Sequence, residues 1–92
     1  MRLRFPRHDQ PDLALGTGPN GLVRQGGQIG PAHGDAPAAV QVCVYRRGVW
    51  MNVQEGSCSV HVNGRPVRRL SMLRVGDAIH IDGVQAVLLA GD

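Results

Sequence analysis

Arginine is the residue type in this chain whose number and spacing could do binding chemistry. The 92 residues carry no lysine, ten arginines and seven acids, for a net charge of +3. Six of the ten arginines lie between Arg46 and Arg74, where Glu55 is the only acid. Guanidinium groups make charge-assisted, often bidentate hydrogen bonds to carboxylate and phosphate, so this central basicity suits an acidic partner: phosphate, carboxylate or nucleic acid. Arg46, Arg47 and Arg65 stand at or beside turn signals, and Arg68 and Arg69 follow closely. The competing explanation is a solvated surface, because no run of like charge is long.

The other reactive side chains form no constellation in sequence. His8, His33, His61 and His80 contain no tight ligand pair, and Cys43 and Cys58 lack metal-ligand spacing. Cys58 and His61 are three apart, which in a strand sets them on opposite sides. With no orienting group or oxyanion site in view, a nucleophilic cysteine is not expected. We therefore expect no enzyme, no metal and no cofactor.

The elements that must position the arginines read as β throughout. Glycine and proline total 19 of 92 residues, and their spread marks frequent turns between short elements. Leu3 and Phe5 alternate with arginines as in an edge strand. A second strand is expected over 12–15, a turn at Asn20-Gly21, and a third strand from Leu22. A Gly/Pro-rich loop spans 25–39, with one short strand near Ile29.

The second half is more regular. Val40, Val42 and Val44 alternate with Gln41, Cys43 and Tyr45; Arg46-Arg47-Gly48 turns the chain; Val49 to Val53 returns, carrying Trp50. Glu55-Gly56-Ser57 is a further turn. Asn63-Gly64 predicts a tight hairpin because both residues accept positive φ. Gly76-Asp77 and Asp82-Gly83 predict two more turns around Ile79 and Ile81. The Asp77 carboxylate is suited to fix its own turn by accepting backbone N–H groups. The phasing sends His61 and His80 away from the apolar face. Val67, Leu70 and Leu73 recur at helical spacing, but one turn is too short to nucleate alone. The fold class expected is all-β: a single small β-sandwich of about ten short, mostly antiparallel strands over 1–92.

Three stretches together resemble a known family. Tyr45-Arg46-Arg47-Gly48-Val49-Trp50, Val62-Asn63-Gly64-Arg65-Pro66-Val67 and Leu73-Arg74-Val75-Gly76-Asp77-Ala78-Ile79-His80-Ile81 resemble forkhead-associated domains. That family has a Trp-bearing return strand, a Val-Asn-Gly hairpin and a Leu-x-x-Gly-Asp turn into an Ile-x-Ile strand. The match covers about half the chain, and the first half only loosely. The resemblance implies a β-sandwich whose loops at one end read a phosphothreonine peptide.

The family's phosphate-reading residues are largely replaced. Arg24, preceded by Val23 instead of Gly, stands for the early arginine; in another register Gly16-Thr17 falls there and the arginine is lost. Pro37-Ala38-Ala39-Val40 occupies the place of a Ser-Arg-x-x-His stretch, and Cys58-Ser59-Val60 that of Asn-Gly-Thr. The resemblance thus implies a protein–protein interaction module with phosphothreonine recognition weakened or lost. Its ligand-binding set is Arg24, Arg46, Arg47, Ser57 and Arg65, facing a phosphopeptide or another acidic protein or peptide.

The runner-up is a small RNA-binding domain of the S4 type, which shares the Asn-Gly and Gly-Asp elements but needs a basic helix pair before them. No segment resembles a signal peptide or approaches the roughly 20 apolar residues of a membrane span. With only two cysteines, a cytoplasmic protein that keeps reduced thiols and binds no membrane is expected.

Overall fold

In the computed structural model, residues 1–32, 38–54, 56 and 58–91 are described. Alternating apolar residues and frequent turns give eleven short strands and, among the described residues, no helix. In chain order these are β1 (Arg2–Arg4), β2 (Leu13–Ala14), β3 (Gly18–Gln25), β4 (Gln28–Pro31), β5 (Val40–Tyr45) and β6 (Gly48–Val53). Then follow β7 (Val60–Val62), β8 (Arg65–Pro66), β9 (Leu70–Leu73), β10 (Ala78–Ile81) and β11 (Val84–Leu89).

They form two antiparallel sheets, ordered β2-β1-β11-β10-β7-β8 and β4-β3-β5-β6-β9. The inward faces close on one core. Leu3, Ile79 and Leu88 from the first sheet and Leu22, Val42 and Met51 from the second are essentially inaccessible to solvent. Burial of such side chains is the main favourable term, roughly 1.5–3 kcal/mol each before chain entropy is set against it. No described polar or charged side chain is buried, so the binding chemistry lies in turns, edges and outer faces. Among the described residues no helix is long and apolar enough to cross a membrane.

Two local expectations change. The first strand is not an edge: β1 pairs with both β2 and β11. Leu3 enters the core, and outward Arg2 is held to Asp12 at 2.9 Å. Asn20-Gly21 is not a turn but the middle of β3. The Asn20 carboxamide donates to the carbonyls of Gly16, Gly18 and Val42 and accepts from Gly16 N–H, holding the strand's entrance. Gly21 is closely approached by Ala32 and Ala38, where an added Cβ would sit 3.0 Å from Ala38 Cβ. The segment over Val67–Leu73 takes no helical turn, in line with its being too short to nucleate one, and from Leu70 it is β9.

The predicted Asn63-Gly64 hairpin is present, and the predicted Asp82-Gly83 turn closes a second one. Asn63 and Gly64 take φ values of 51° and 82°, and Asp82 and Gly83 of 48° and 85°, the positive pair that matches the twist of adjoining strands. The hairpin ends are where the candidate ligand groups lie.

Candidate functional site

Register fixes which arginines share an end of the sandwich. In the first sheet Ile79 pairs with Val62 and Ile81 with Val60, so the Asn63-Gly64 turn lies by Asp77 and Asp82 lies at the opposite end. In the second sheet Val49 pairs with Leu73, and the next residue, Arg74, donates its N–H to Asp77 Oδ2 at 2.8 Å. The Arg46-Arg47 turn before β6 therefore belongs to the Asn63–Asp77 end, together with Arg65.

Arg24 belongs to the other end. Its Nη1 donates to the Asp82 carbonyl at 3.1 Å and its Nε to the Gly26 carbonyl at 3.0 Å. The arginines named from sequence are thus divided, with Arg24 at one end and exposed Arg46, Arg47 and Arg65 at the other. Ser57, the remaining member, lies outside the described residues.

The Arg24 end holds a pocket of about 280 Å³ between the sheets, lined among others by Leu22, Arg24, Ala39, Cys58 and Asp82. Its polar groups are largely committed to the fold. Asp82 Oδ1 accepts the Ser59 N–H at 2.8 Å, and Asp82 N–H donates to the Ser59 carbonyl, which ties the β10–β11 turn to the approach to β7. Arg24 fastens β3 to that same turn. Among the described residues the pocket consequently has one guanidinium, one carboxylate and an apolar floor. A phosphate there would meet a single cation and an acid at the same wall, where opposite signs partly cancel. Ala38 and Ala39 bring no side-chain donor to the loop above.

The opposite end is tied by a polar clamp. Asn63 Nδ2 donates to Asp77 Oδ1 at 2.9 Å, and Asn63 Oδ1 accepts the Ala78 N–H at 2.9 Å. The Asp77 carboxylate fixes its turn through the Arg74 N–H, as its place after Gly76 predicts. Beside the clamp runs a larger groove of about 640 Å³ between β8 and β9, lined by Arg65, Arg68, Leu70, Met72 and Arg74 among others.

The remaining titratable groups are dispersed. His61 and His80 are direct register partners on the outer face of the first sheet, a neighbourhood that sequence separation concealed. They are a pair only: among the described residues no three His, Cys, Asp or Glu gather as metal ligands. The His8 ring nitrogen accepts the Gln85 N–H at 3.2 Å. Cys43 is buried and accepts from Asn52 Nδ2. Trp50 is half-buried on the outer face of β6 and stacks obliquely with Tyr45, ring centres 6.0 Å apart.

Two functional groups escaped the sequence reading. Asp82 was legible as a turn residue but not as the partner of Arg24, which lies in the other sheet, nor of Ser59, 23 residues away just before the neighbouring strand. Arg74 was legible only as part of a basic segment; its position one residue past β9 is what brings it into the groove. Compared with known proteins, the chain matches no family model, no curated protein and no solved structure.

Proposed function

We propose that the chain is a protein–protein interaction module of forkhead-associated type in which phosphothreonine recognition is weakened or lost. The observation that carries this reading is the Arg24 pocket. It lies where segments of both sheets converge, yet Arg24, its one cation among the described residues, already donates to two backbone carbonyls, and the Asp82 carboxylate shares the lining. Each charge-assisted hydrogen bond missing from a phosphate site is worth roughly 1.5–3 kcal/mol. Two or three such losses correspond to several decades in affinity. A protein or peptide ligand read mainly through shape and modest charge fits this pocket better than a phosphate dianion.

The sandwich architecture supports the same reading, and the S4 alternative lacks its helix pair among the described residues.

Calorimetry with a phosphothreonine peptide library and its unphosphorylated counterpart tests the proposal. The expected result is less than a tenfold preference for the phosphorylated set. Phosphate-dependent binding at low micromolar Kd, abolished by Arg24→Ala, would overturn it. Tight hairpin-RNA binding that weakens steeply between low and high salt would replace it with the nucleic-acid reading.

A further inference from the structure

The two sheets have four edge strands, and three of them are closed. The β2 edge has only two residues. The β8 edge is Arg65–Pro66, where proline offers no N–H and arginine adds charge, both common protections against strand pairing. The β4 edge is capped by a side chain: Gln10 Nε2 donates to the Ile29 carbonyl and Gln10 Oε1 accepts the Ile29 N–H. One carboxamide thereby stands in for a neighbouring strand.

The fourth edge, β9, has none of these devices. Its sequence is Leu-Ser-Met-Leu, without proline or charge. The bond from Val53 N–H to the Arg69 carbonyl sets the ladder phase, so Ser71 and Leu73 bond to β6 while the backbone groups of Leu70 and Met72 point to the open edge. The Met72 carbonyl accepts the Ser71 hydroxyl. Leu70 and Met72 are each 62% exposed and Val75 is 55% exposed. Three of the four large exposed apolar side chains therefore gather on this strand or just past it.

Charge decides what fits. Arg65, Arg68 and Arg74 line the groove alongside β9, and their guanidinium groups make no hydrogen bond or ion pair among the described residues. The one acid in the groove, Asp77, is held by Asn63 and the Arg74 N–H.

We propose that the free edge of β9 receives an extended acidic segment of a partner protein by strand addition. The segment would pair its backbone with Leu70 and Met72, rest alternate apolar side chains on them, and turn its carboxylates toward the three arginines. A second copy of this chain would bring its own arginines against them, a like-charge juxtaposition that complementary interfaces avoid. This surface is distinct from the Arg24 pocket and stands or falls separately.

The probe is a soluble octapeptide of alternating glutamate and valine, titrated into the full chain with amide chemical shifts observed by NMR. Saturable perturbation centred on Leu70 and Met72 is expected, with no comparable response to alternating lysine and valine. Met72→Pro, which removes an edge N–H but no β6 bond, should abolish binding. Arg68→Glu, on the exposed rim and outside the ladder, should weaken it about tenfold or more and flatten the dependence on peptide charge. Arg24→Ala should change nothing.

Binding indifferent to both β9-side variants would overturn the proposal, as would equal affinity for the lysine peptide. Dimerisation of the unliganded chain through β9, read by sedimentation, would assign the edge to a second copy instead. Tighter, Arg68-dependent binding of hairpin RNA would assign the arginines to nucleic acid and overturn it equally.

Discussion

The Arg24 pocket and the β9 flank both pair arginine with an acid and an apolar surface, yet their polar groups point in opposite senses. At the pocket, Arg24 and Asp82 turn inward to the chain's own backbone and join the sheets. At the flank, Asp77 is committed to the Asn63 clamp, while Arg65, Arg68 and Arg74 are left toward solvent. Arginine number alone does not distinguish a site from a fastening. The destination of each donor does, because a guanidinium already satisfied by carbonyls must exchange those bonds for a ligand's.

The largest expected effect breaks the flank. Asn63→Ala removes the carboxamide from both Asp77 and the Ala78 N–H and puts alanine at a φ of 51°. Two partly exposed hydrogen bonds and the left-handed conformation together should cost about 2–4 kcal/mol. Urea denaturation should show a lower midpoint with unchanged slope. Binding of the acidic octapeptide should fall with it, since the Arg74–Asp77 turn loses its tie to the β7–β8 hairpin that carries Arg65. An unaltered midpoint would mean that the clamp only decorates a turn held by other forces.

Much of the scaffold was legible because period two and turn chemistry agree from Val40 onward: Val40, Val42, Met51, Ile79 and Ile81 are all inward and buried. Asn63-Gly64 and Asp82-Gly83 announced their hairpins for the same reason, since few residue pairs tolerate two successive positive φ angles. Asn20-Gly21 carried the same signal and misled. Its glycine answers the close approach of Ala32 and Ala38 and its asparagine a neighbouring strand, both of which are long-range facts. The division of the arginines was illegible on the same ground. Arg24 and Arg65 are assigned to opposite ends by strand order, which local spacing does not encode. An edge is likewise a property of topology: nothing local in Leu70–Leu73 says that one side of the strand remains unpaired.

A middle-sized effect sharpens the contrast between edges. Gln10→Ala removes the carboxamide that both donates to and accepts from Ile29, at about 1–2 kcal/mol for two part-buried hydrogen bonds. It also converts β4 into a second open edge. Hydrogen exchange at the Ile29 amide should accelerate, while the amides of β9 stay as they were. The acidic octapeptide should not bind at β4, where no cluster of arginines lies alongside. Binding there at an affinity equal to that on β9 would mean that open backbone, not charge, selects the ligand.

The smallest effect belongs to Arg24→Ala. Both of its bonds are to backbone carbonyls at an exposed position, and each carbonyl can turn to water when the guanidinium is gone. A stability loss below about 1 kcal/mol follows, since exchange with solvent leaves little net cost. The variant is therefore a clean reporter: its fold persists, so any loss of ligand binding reads the pocket itself. If the pocket is chiefly a fastening between β3 and the β10–β11 turn, the consequence should be dynamic. Faster hydrogen exchange at Gly83 and Ser59, with no change at Asn63 or Met72, is the expected pattern. Exchange that stays the same at Asp82's neighbours while peptide binding collapses would reverse the assignment, making Arg24 a ligand residue and its two carbonyls only its resting place.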